Sequence, residues 1–404
     1  MSHSWDLPVY HEGFDKHVET LTPSQQAFPS LVHQWFLQPQ HAVILVAGGP
    51  GSGKTFTVTS CLDRMHISQL RMAPTARVAQ RIGGQTINSA LKLKWKPGTL
   101  LYTLEKELQH ETDEAVYLEK SAELLDTFAC FQNPNIVVVD EIGMVSFWLA
   151  YWIIQYFFRR KKPVLFVAMG DPNQLRPVKT NHNVFSVSLD IPLTRMNLTE
   201  SIRFLPEYEP IIKQLRYYVD TNNETGLFTY ICGQFPVVEQ IDTTILQKCT
   251  RALAYLKSTV EAYNNFYLKR LIKGPRIRLW TKSEKGDRGT TYVDVKVGCH
   301  VFIIENGVSL ATNGTPLWFE KYNAQSDCIE CKDPVKDTLV EVHRNSRGEF
   351  PIVVGFAGTI HKFQGDTMDD EAIAMNFNGS RDLNLVYTAL SRVKSMNQIV
   401  AIEL

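Results

Sequence analysis

Three uninterrupted apolar runs organise the first half of the chain: Ala42-Val43-Ile44-Leu45-Val46-Ala47, Ile136-Val137-Val138-Val139 and Val164-Leu165-Phe166-Val167-Ala168-Met169. They lack the polar alternation of a half-solvated strand, so they predict strands buried on both faces, as in a parallel sheet covered by helices. The runs give way to Gly48, to Asp140-Glu141 and to Gly170-Asp171. Polar residues are thus delivered to the carboxyl edge of the sheet, where open α/β folds bind ligands. Residues 283–350 carry a different pattern, with short runs such as Val301-Phe302-Ile303-Ile304 and Leu339-Val340-Glu341-Val342 among glycines and asparagines. That pattern predicts short antiparallel strands. The aromatic stretch from Phe147 to Phe158 is about half the ~20 residues a membrane span needs. With Arg159-Arg160-Lys161-Lys162 after it, it reads as a core helix whose basic end suits the helix dipole.

Composition narrows the class. A chain of 404 residues with 44% hydrophobic and 21% charged content has room for two or three domains and is neither disordered nor fibrous. Lys+Arg and Asp+Glu balance at 42 each, so a nucleic-acid surface would be a local groove. The seven scattered cysteines fit an intracellular, reducing compartment better than a disulfide framework. Cys328 and Cys331 have only Cys299, His300 and His343 near them in sequence, and they read as ordinary thiols rather than a zinc site. The amino terminus has no basic region followed by an apolar run, so no secretory signal is expected and no membrane partner is implied.

The chemistry lies where the first apolar run ends, in Gly48-Gly49-Pro50-Gly51-Ser52-Gly53-Lys54-Thr55. A buried strand leading into Gly-x-x-x-x-Gly-Lys-Thr is the phosphate-binding loop of nucleoside triphosphatases. Gly49, Pro50, Gly51, Ser52 and Gly53 would wrap a phosphate with backbone N–H groups, and Lys54 would reach the β- and γ-phosphates of ATP. The Thr55 hydroxyl would ligate Mg²⁺. Asp140, at the tip of the second run, would organise the same Mg²⁺, and Glu141 would act as base or orient the attacking water. Gln174, after the third run, would sense the γ-phosphate through its amide.

These motifs, with those that follow them, resemble the helicase core of superfamily 1, in its RecD-like and PIF-type group, over residues 21–395. Leu21-Thr22-Pro23-Ser24-Gln25-Gln26 resembles the adenine-reading segment and implies that role for Gln25. Met72-Ala73-Pro74-Thr75-Ala76-Arg77 and Gly84-Gln85-Thr86-Ile87-Asn88-Ser89 resemble the segments that hold single-stranded DNA. Leu198-Thr199-Glu200-Ser201-Ile202-Arg203 resembles the motif whose arginine reaches the nucleotide. Thr359-Ile360-His361-Lys362-Phe363-Gln364-Gly365-Asp366-Thr367 resembles the motif that couples DNA to ATP, with Gly365 on the nucleotide side. Val386-Tyr387-Thr388-Ala389-Leu390-Ser391-Arg392 resembles the motif with the arginine finger, Arg392. The chain departs from the family at Ala76 for glycine, Asn88 for histidine, Gly143 for serine and Phe363 for a small residue.

The resemblance implies two RecA-like α/β domains, a first over 1–185 with a small insertion at 91–130 and a second over 186–282 and 351–404. A small β-barrel would occupy 283–350, where Asn306 and Asn313-Gly314-Thr315 fit the pattern. Trp95-Lys96-Pro97-Gly98-Thr99-Leu100-Leu101-Tyr102 reads as two short strands about a Pro-Gly turn, at the place of the family's strand-separating pin. The candidate DNA contacts are Pro74, Thr75, Arg77, Thr86, Asn88, Ser89, Trp95, Thr359, His361 and Lys362, mostly phosphate-directed rather than base-reading. Arg203 and Arg392 are expected to come from the second domain. The implied activity is an ATP- and Mg²⁺-dependent DNA helicase, 5′→3′ on single-stranded DNA and active at duplex junctions. An RNA helicase, or an ATPase stimulated by nucleic acid without unwinding, stays open beside it. Replication or repair proteins are unspecified partners, and compactness favours a viral or phage source, acting in a nucleus or host cell.

Overall fold

The three apolar runs become neighbouring strands of one sheet in the computed structural model, which describes residues 10–11, 13–94, 99–108, 110, 113–177, 183–186, 191–282, 290–305, 307, 309, 311, 313–334, 337–369 and 371–404. The chain divides into two units, Met1–Arg203 and Phe204–Leu404.

In the first unit, α1 (Phe14–Glu19) and α2 (Ala27–Leu37) precede β1 (Ala42–Gly48), α3 (Lys54–Leu62), β2 (Gln69–Ala73), α4 (Ala76–Arg81), β3 (Gln85–Thr86) and α5 (Ile87–Ala90). Then come α6 (Leu100–Leu108), α7 (Glu114–Asp126), β4 (Ile136–Val139), α8 (Phe147–Phe158), β5 (Leu165–Gly170) and β6 (Leu193–Leu198). The strands pair in parallel in the order β3-β2-β4-β5-β1-β6. Successive side chains of a strand point to opposite faces. Val43, Leu45, Val137 and Phe166 therefore pack with Trp152, Ile153 and Phe157 of α8, while Ile44, Val46, Val138 and Val167 pack with Phe28 of α2 and Val58 of α3. The aromatic helix is thus part of the core, and no helix among the described residues is long and apolar enough to cross a membrane.

Two expectations change here. The division falls after Arg203 rather than near 185, because β6 pairs with β1 from Val43↔Leu193 to Gly48↔Leu198 and so completes the first sheet. The expected hairpin is also revised: Leu100, Leu101 and Tyr102 open the helix α6 instead of a second strand. Leu104 and Leu108, four residues apart, bury one side of α6 in the core shared with Leu124 and Leu125 of α7, and that helical spacing outweighs the turn signal. Trp95, Lys96, Pro97 and Gly98 lie outside the described residues.

The second unit contains α9 (Glu209–Asp220), α10 (Glu224–Gln234), β7 (Val237–Val238), α11 (Thr243–Leu246), β8 (Arg251–Ala254) and α12 (Lys257–Phe266). An antiparallel insertion follows: β9 (Ile277–Lys282), β10 (Thr290–Val295), β11 (His300–Ile303), β12 (Pro316–Asn323), β13 (Cys328–Lys332), β14 (Leu339–Val342) and β15 (Ile352–Val354). The unit closes with β16 (Ala357–Thr359), β17 (Ile373–Asn376), α13 (Leu383–Leu390) and β18 (Ile399–Glu403). A parallel sheet runs β16-β8-β17-β18-β7. The insertion, wider than the expected 283–350, is a sheet in the order β14-β13-β12-β11-β15 with β9 and β10 paired separately. Asn306 lies outside the described residues. Cys299, Cys328 and Cys331 are buried. Among the described residues no group of three or more His, Cys, Asp and Glu is placed to hold a metal.

Candidate nucleotide-binding site

β1 delivers the Gly-rich loop to the carboxyl edge of the first sheet, and α3 starts within it. Gly51 and Gly53 both take left-handed backbone, with φ of 75° and 76°, a region that favours glycine. Space demands glycine as well: a Cβ on Gly51 would lie 2.3 Å from the Arg203 Cβ, and one on Gly53 would lie 2.5 Å from Gln25 Nε2. Pro50 and Gly51 present carbonyls that accept from Ser201 Oγ at 3.3 Å and the Ile202 amide at 2.9 Å. Arg203 thus belongs to the first unit beside the loop, not to the second domain as expected, because β6 carries the chain back along β1 to this point.

Lys54 Nζ donates to the Gly48 and Gly49 carbonyls, both at 2.9 Å. Burial lowers its pKa from the ordinary lysine value; the carboxylates of Asp171, Glu141 and Asp140 oppose that, and Arg203 adds to it. The lysine is half-buried as a residue.

Asp140, 1% exposed at the end of β4, accepts from Thr55 Oγ1 at 2.8 Å through Oδ2 and from the Glu141 amide at 2.9 Å through Oδ1. A hydroxyl and a carboxylate this close are the hard oxygen donors that Mg²⁺ takes beside the phosphates of its nucleotide, so the pair fits that ion. Glu141 adopts φ 54°, a strained conformation for a residue with a side chain. Gln174 Nε2 donates to Asp171 Oδ2 at 3.2 Å. Its Oε1 is buried with no hydrogen-bond partner among the described residues, an acceptor able to orient a water.

Sequence reasoning missed some participants. Arg81, at the end of α4, donates to Asp140 Oδ2 at 3.3 Å; only its place one turn beyond Arg77 hinted at it. Glu200 accepts from Ser24 Oγ and from Thr22 Oγ1, the latter at 3.2 Å. Those hydrogen bonds, Ser24's foremost, lower the Glu200 pKa from the ordinary glutamate value. Gln25, 3% exposed, donates to the Ser52 carbonyl at 2.9 Å and accepts from the Thr22 amide at 3.0 Å. Both ends of its amide brace the loop in this structure, so the expected pairing with adenine would have to replace at least one of them.

The DNA-holding candidates of the first unit gather at one sheet edge. β2 and β3 are neighbours, and Pro74 and Thr75 follow β2 while Thr86 ends β3. Thr75 Oγ1 caps α4 by accepting from the Val78 amide at 3.4 Å, and Thr86 Oγ1 caps α5 by accepting from the Ser89 amide at 3.2 Å. Arg77 sits in the first turn of α4, and Asn88 and Ser89 are exposed on α5. Trp95 lies outside the described residues.

Thr359, His361, Lys362, Gly365 and Arg392 belong to the second unit. Thr359 ends β16, His361 is exposed, and Lys362 Nζ lies 4.4 Å from the centre of the Phe302 ring. Gly365 turns with φ 84°. Arg392 is 1% exposed and donates to the Thr388 carbonyl at 2.9 Å, the Asp366 carbonyl at 3.0 Å and Ser391 Oγ at 2.9 Å. The expected finger is here an internal strut on the turn that contains Gly365.

Residues 36–180 match the model of an AAA domain family. The ATP-dependent DNA helicase Pif1 of Campylobacter jejuni is 24% identical, covering 88% of this chain and 88% of the relative. That of Bdellovibrio bacteriovorus is 22% identical, with 90% and 87% covered. Among solved structures, Pif1 helicase from Bacteroides in complex with ADP-AlF3 and single-stranded DNA aligns with a TM-score of 0.67 at 20% identity, over 94% of this chain and 92% of that one. Pif1 helicase from Candida albicans aligns with a TM-score of 0.66 at 18% identity, over 95% and 94%. The fold is therefore that of these helicases, with two RecA-like parallel-sheet domains.

Proposed function

We propose that this chain is an ATP-dependent DNA helicase of the Pif1-like group of superfamily 1, which moves 5′→3′ along single-stranded DNA and separates strands at duplex junctions. The observation that carries this is the convergence of Lys54, Thr55, Asp140, Glu141 and Arg203 on one Gly-rich loop, in a chain with the fold of Pif1 helicases throughout.

The reaction is phosphoryl transfer to water, in which a protein mainly positions groups and neutralises charge. Lys54 exchanges its Gly48 and Gly49 carbonyls for phosphate oxygens. Glu141, fixed by the Asp140 carboxylate through its own amide, takes the proton of the attacking water while Gln174 orients it. Thr55 and Asp140 would hold Mg²⁺, which when bound would supply positive charge against the phosphate oxygens. Arg392 is the finger that the resemblance implies, and that role would require it to give up its bonds to the 366 and 388 carbonyls. Fingers of this kind are worth roughly 10³-fold or more in rate. Thr75, Arg77, Thr86, Asn88 and Ser89 hold the DNA backbone at the β2–β3 edge, with little base preference.

The test is ATP hydrolysis alone, with poly-dT and with poly-U, followed by strand displacement on forked DNA. Stimulation by poly-dT above poly-U, lost in Lys54→Ala, is expected. Equal rates in all three conditions, or an unimpaired Lys54→Ala, would sink the reading.

A further inference from the structure

We infer that Phe363 is a positioning residue that ties the inserted β sheet to the turn holding Arg392, an inference that rests on the helicase reading above.

The Phe363 and Phe302 rings are both buried and meet edge to face, with centres 5.8 Å apart and planes at 68°. Phe302 lies on β11 of the insertion, whereas Phe363 ends the single helical turn after β16. Two glycines make room. A Cβ on Gly355 would lie 2.7 Å from Phe302 Cδ2, and one on Gly358 would lie 2.6 Å from Phe363 Cε2. Arg251, the first residue of β8, covers both rings, 5.9 Å from the centre of Phe302 and 5.5 Å from that of Phe363. Its own position is fixed by bonds to the Gly355 carbonyl at 2.8 Å and to the Glu371 carboxylate at 2.7 and 3.0 Å. This aromatic contact joins the insertion to the segment after β16, beside the core that Val301 and Phe319 share with Ala252 and Ala357.

The consequence lies just beyond it. Phe363 leads directly into Gln364-Gly365-Asp366, and the Asp366 carbonyl accepts from Arg392 Nη1 at 3.0 Å. The Arg392 carbonyl accepts in turn from the Met368 amide at 2.8 Å. A shift of the inserted sheet is therefore transmitted through Phe302 and Phe363 to the peptide that holds the Arg392 guanidinium. Whatever displaces the insertion can bias the arginine by this route without touching it.

Phe363→Leu keeps an apolar side chain but loses the edge-to-face contact, and Phe302→Leu reaches the same contact from the other side should the first variant fold poorly. Steady-state hydrolysis with and without poly-dT is measured for the unaltered protein, both variants, the double variant and Phe319→Leu, an equivalent truncation elsewhere in the inserted sheet. The poly-dT-stimulated kcat should fall roughly tenfold in each contact variant, within the range expected when a catalytic group is displaced by about 1 Å. The KM for ATP should hold, the double variant should fall no further, and Phe319→Leu should keep its stimulation. Contact variants with undiminished stimulation, or a Phe319→Leu loss of the same size, would overturn the inference alone. Absence of stimulation in the unaltered protein would overturn the helicase reading and this inference with it.

Discussion

Replacing Gly51 by alanine perturbs the nucleotide site through a single methyl group, and the structure sets its size. The added Cβ would lie 2.3 Å from the Arg203 Cβ, about 1 Å inside the 3.4 Å of ordinary contact. It would also lie 3.0 Å from Ser201 Oγ and 3.2 Å from the Arg203 amide, so backbone must move rather than one side-chain tip. Left-handed backbone adds roughly 1–2 kcal/mol for any residue with a Cβ. A 1 Å misplacement of Arg203 should cost about 10- to 100-fold in kcat, the range seen when a positioning error of that size reaches the reacting centre. Gly13→Ala is the control, because φ there is 82° but nothing lies within 4 Å of the new methyl. Hydrolysis at saturating ATP and poly-dT, read beside an unfolding curve, separates the two effects. Gly13→Ala should lose stability and keep its rate, whereas Gly51→Ala should lose rate. A folded Gly51→Ala with the parental kcat would show that Arg203 does not act on the nucleotide from this position.

Glu371→Ala removes the partner of Arg251, whose side chain is only 8% exposed, and should lower stability by roughly 2–3 kcal/mol, less than a fully buried pair because Glu371 is partly solvated; a urea midpoint unchanged within error would refute this. Thr55→Ala removes the hydroxyl that bonds Asp140 and should raise the Mg²⁺ concentration for half-maximal hydrolysis roughly tenfold or more, an unchanged titration being the contrary result. Burial, helped by the Arg251 charge, pushes the His300 pKa down from 6.5 to about 4. The folded ring then stays neutral while the unfolded chain takes up a proton, so stability is full above pH 6.5 and falls as pH drops toward about 4, by roughly 3 kcal/mol at most. Thermal midpoints across that range should fall less steeply in His300→Gln; parallel slopes would contradict it.

The strands that face only protein were legible because nothing polar interrupts them. β6 was not: Thr194, Arg195 and Asn197 are exposed, and an edge strand with polar side chains looks like a connection. Missing it moved both the unit boundary and Arg203. In the 95–102 stretch the Pro-Gly pair drew attention from the Leu100, Leu104 and Leu108 spacing, a helical signal that tertiary packing on α7 completes. At the site, Asp140 could be named because it follows directly on a strand, and Lys54 and Thr55 because a Gly-rich loop alone separates them from one. The contacts of Glu200 with Thr22 and Ser24 join residues 178 and 176 positions apart, and no local pattern encodes such a pairing. Phe363 was visible only as a departure, and its reason lies in Phe302, from another sheet.

The two carbonyls that hold Lys54 Nζ at 2.9 Å bear on product release. An ammonium already bonded within its own loop contributes to nucleotide affinity only the difference between phosphate oxygens and those carbonyls. The charge is therefore available to the reacting phosphate without making the resting complex tight. ADP, which offers no γ-phosphate, competes with the carbonyls least well, and the lysine can fall back onto Gly48 and Gly49 as product leaves. Under the proposed function, a motor that must empty its site on every step is served by a lysine with somewhere else to go.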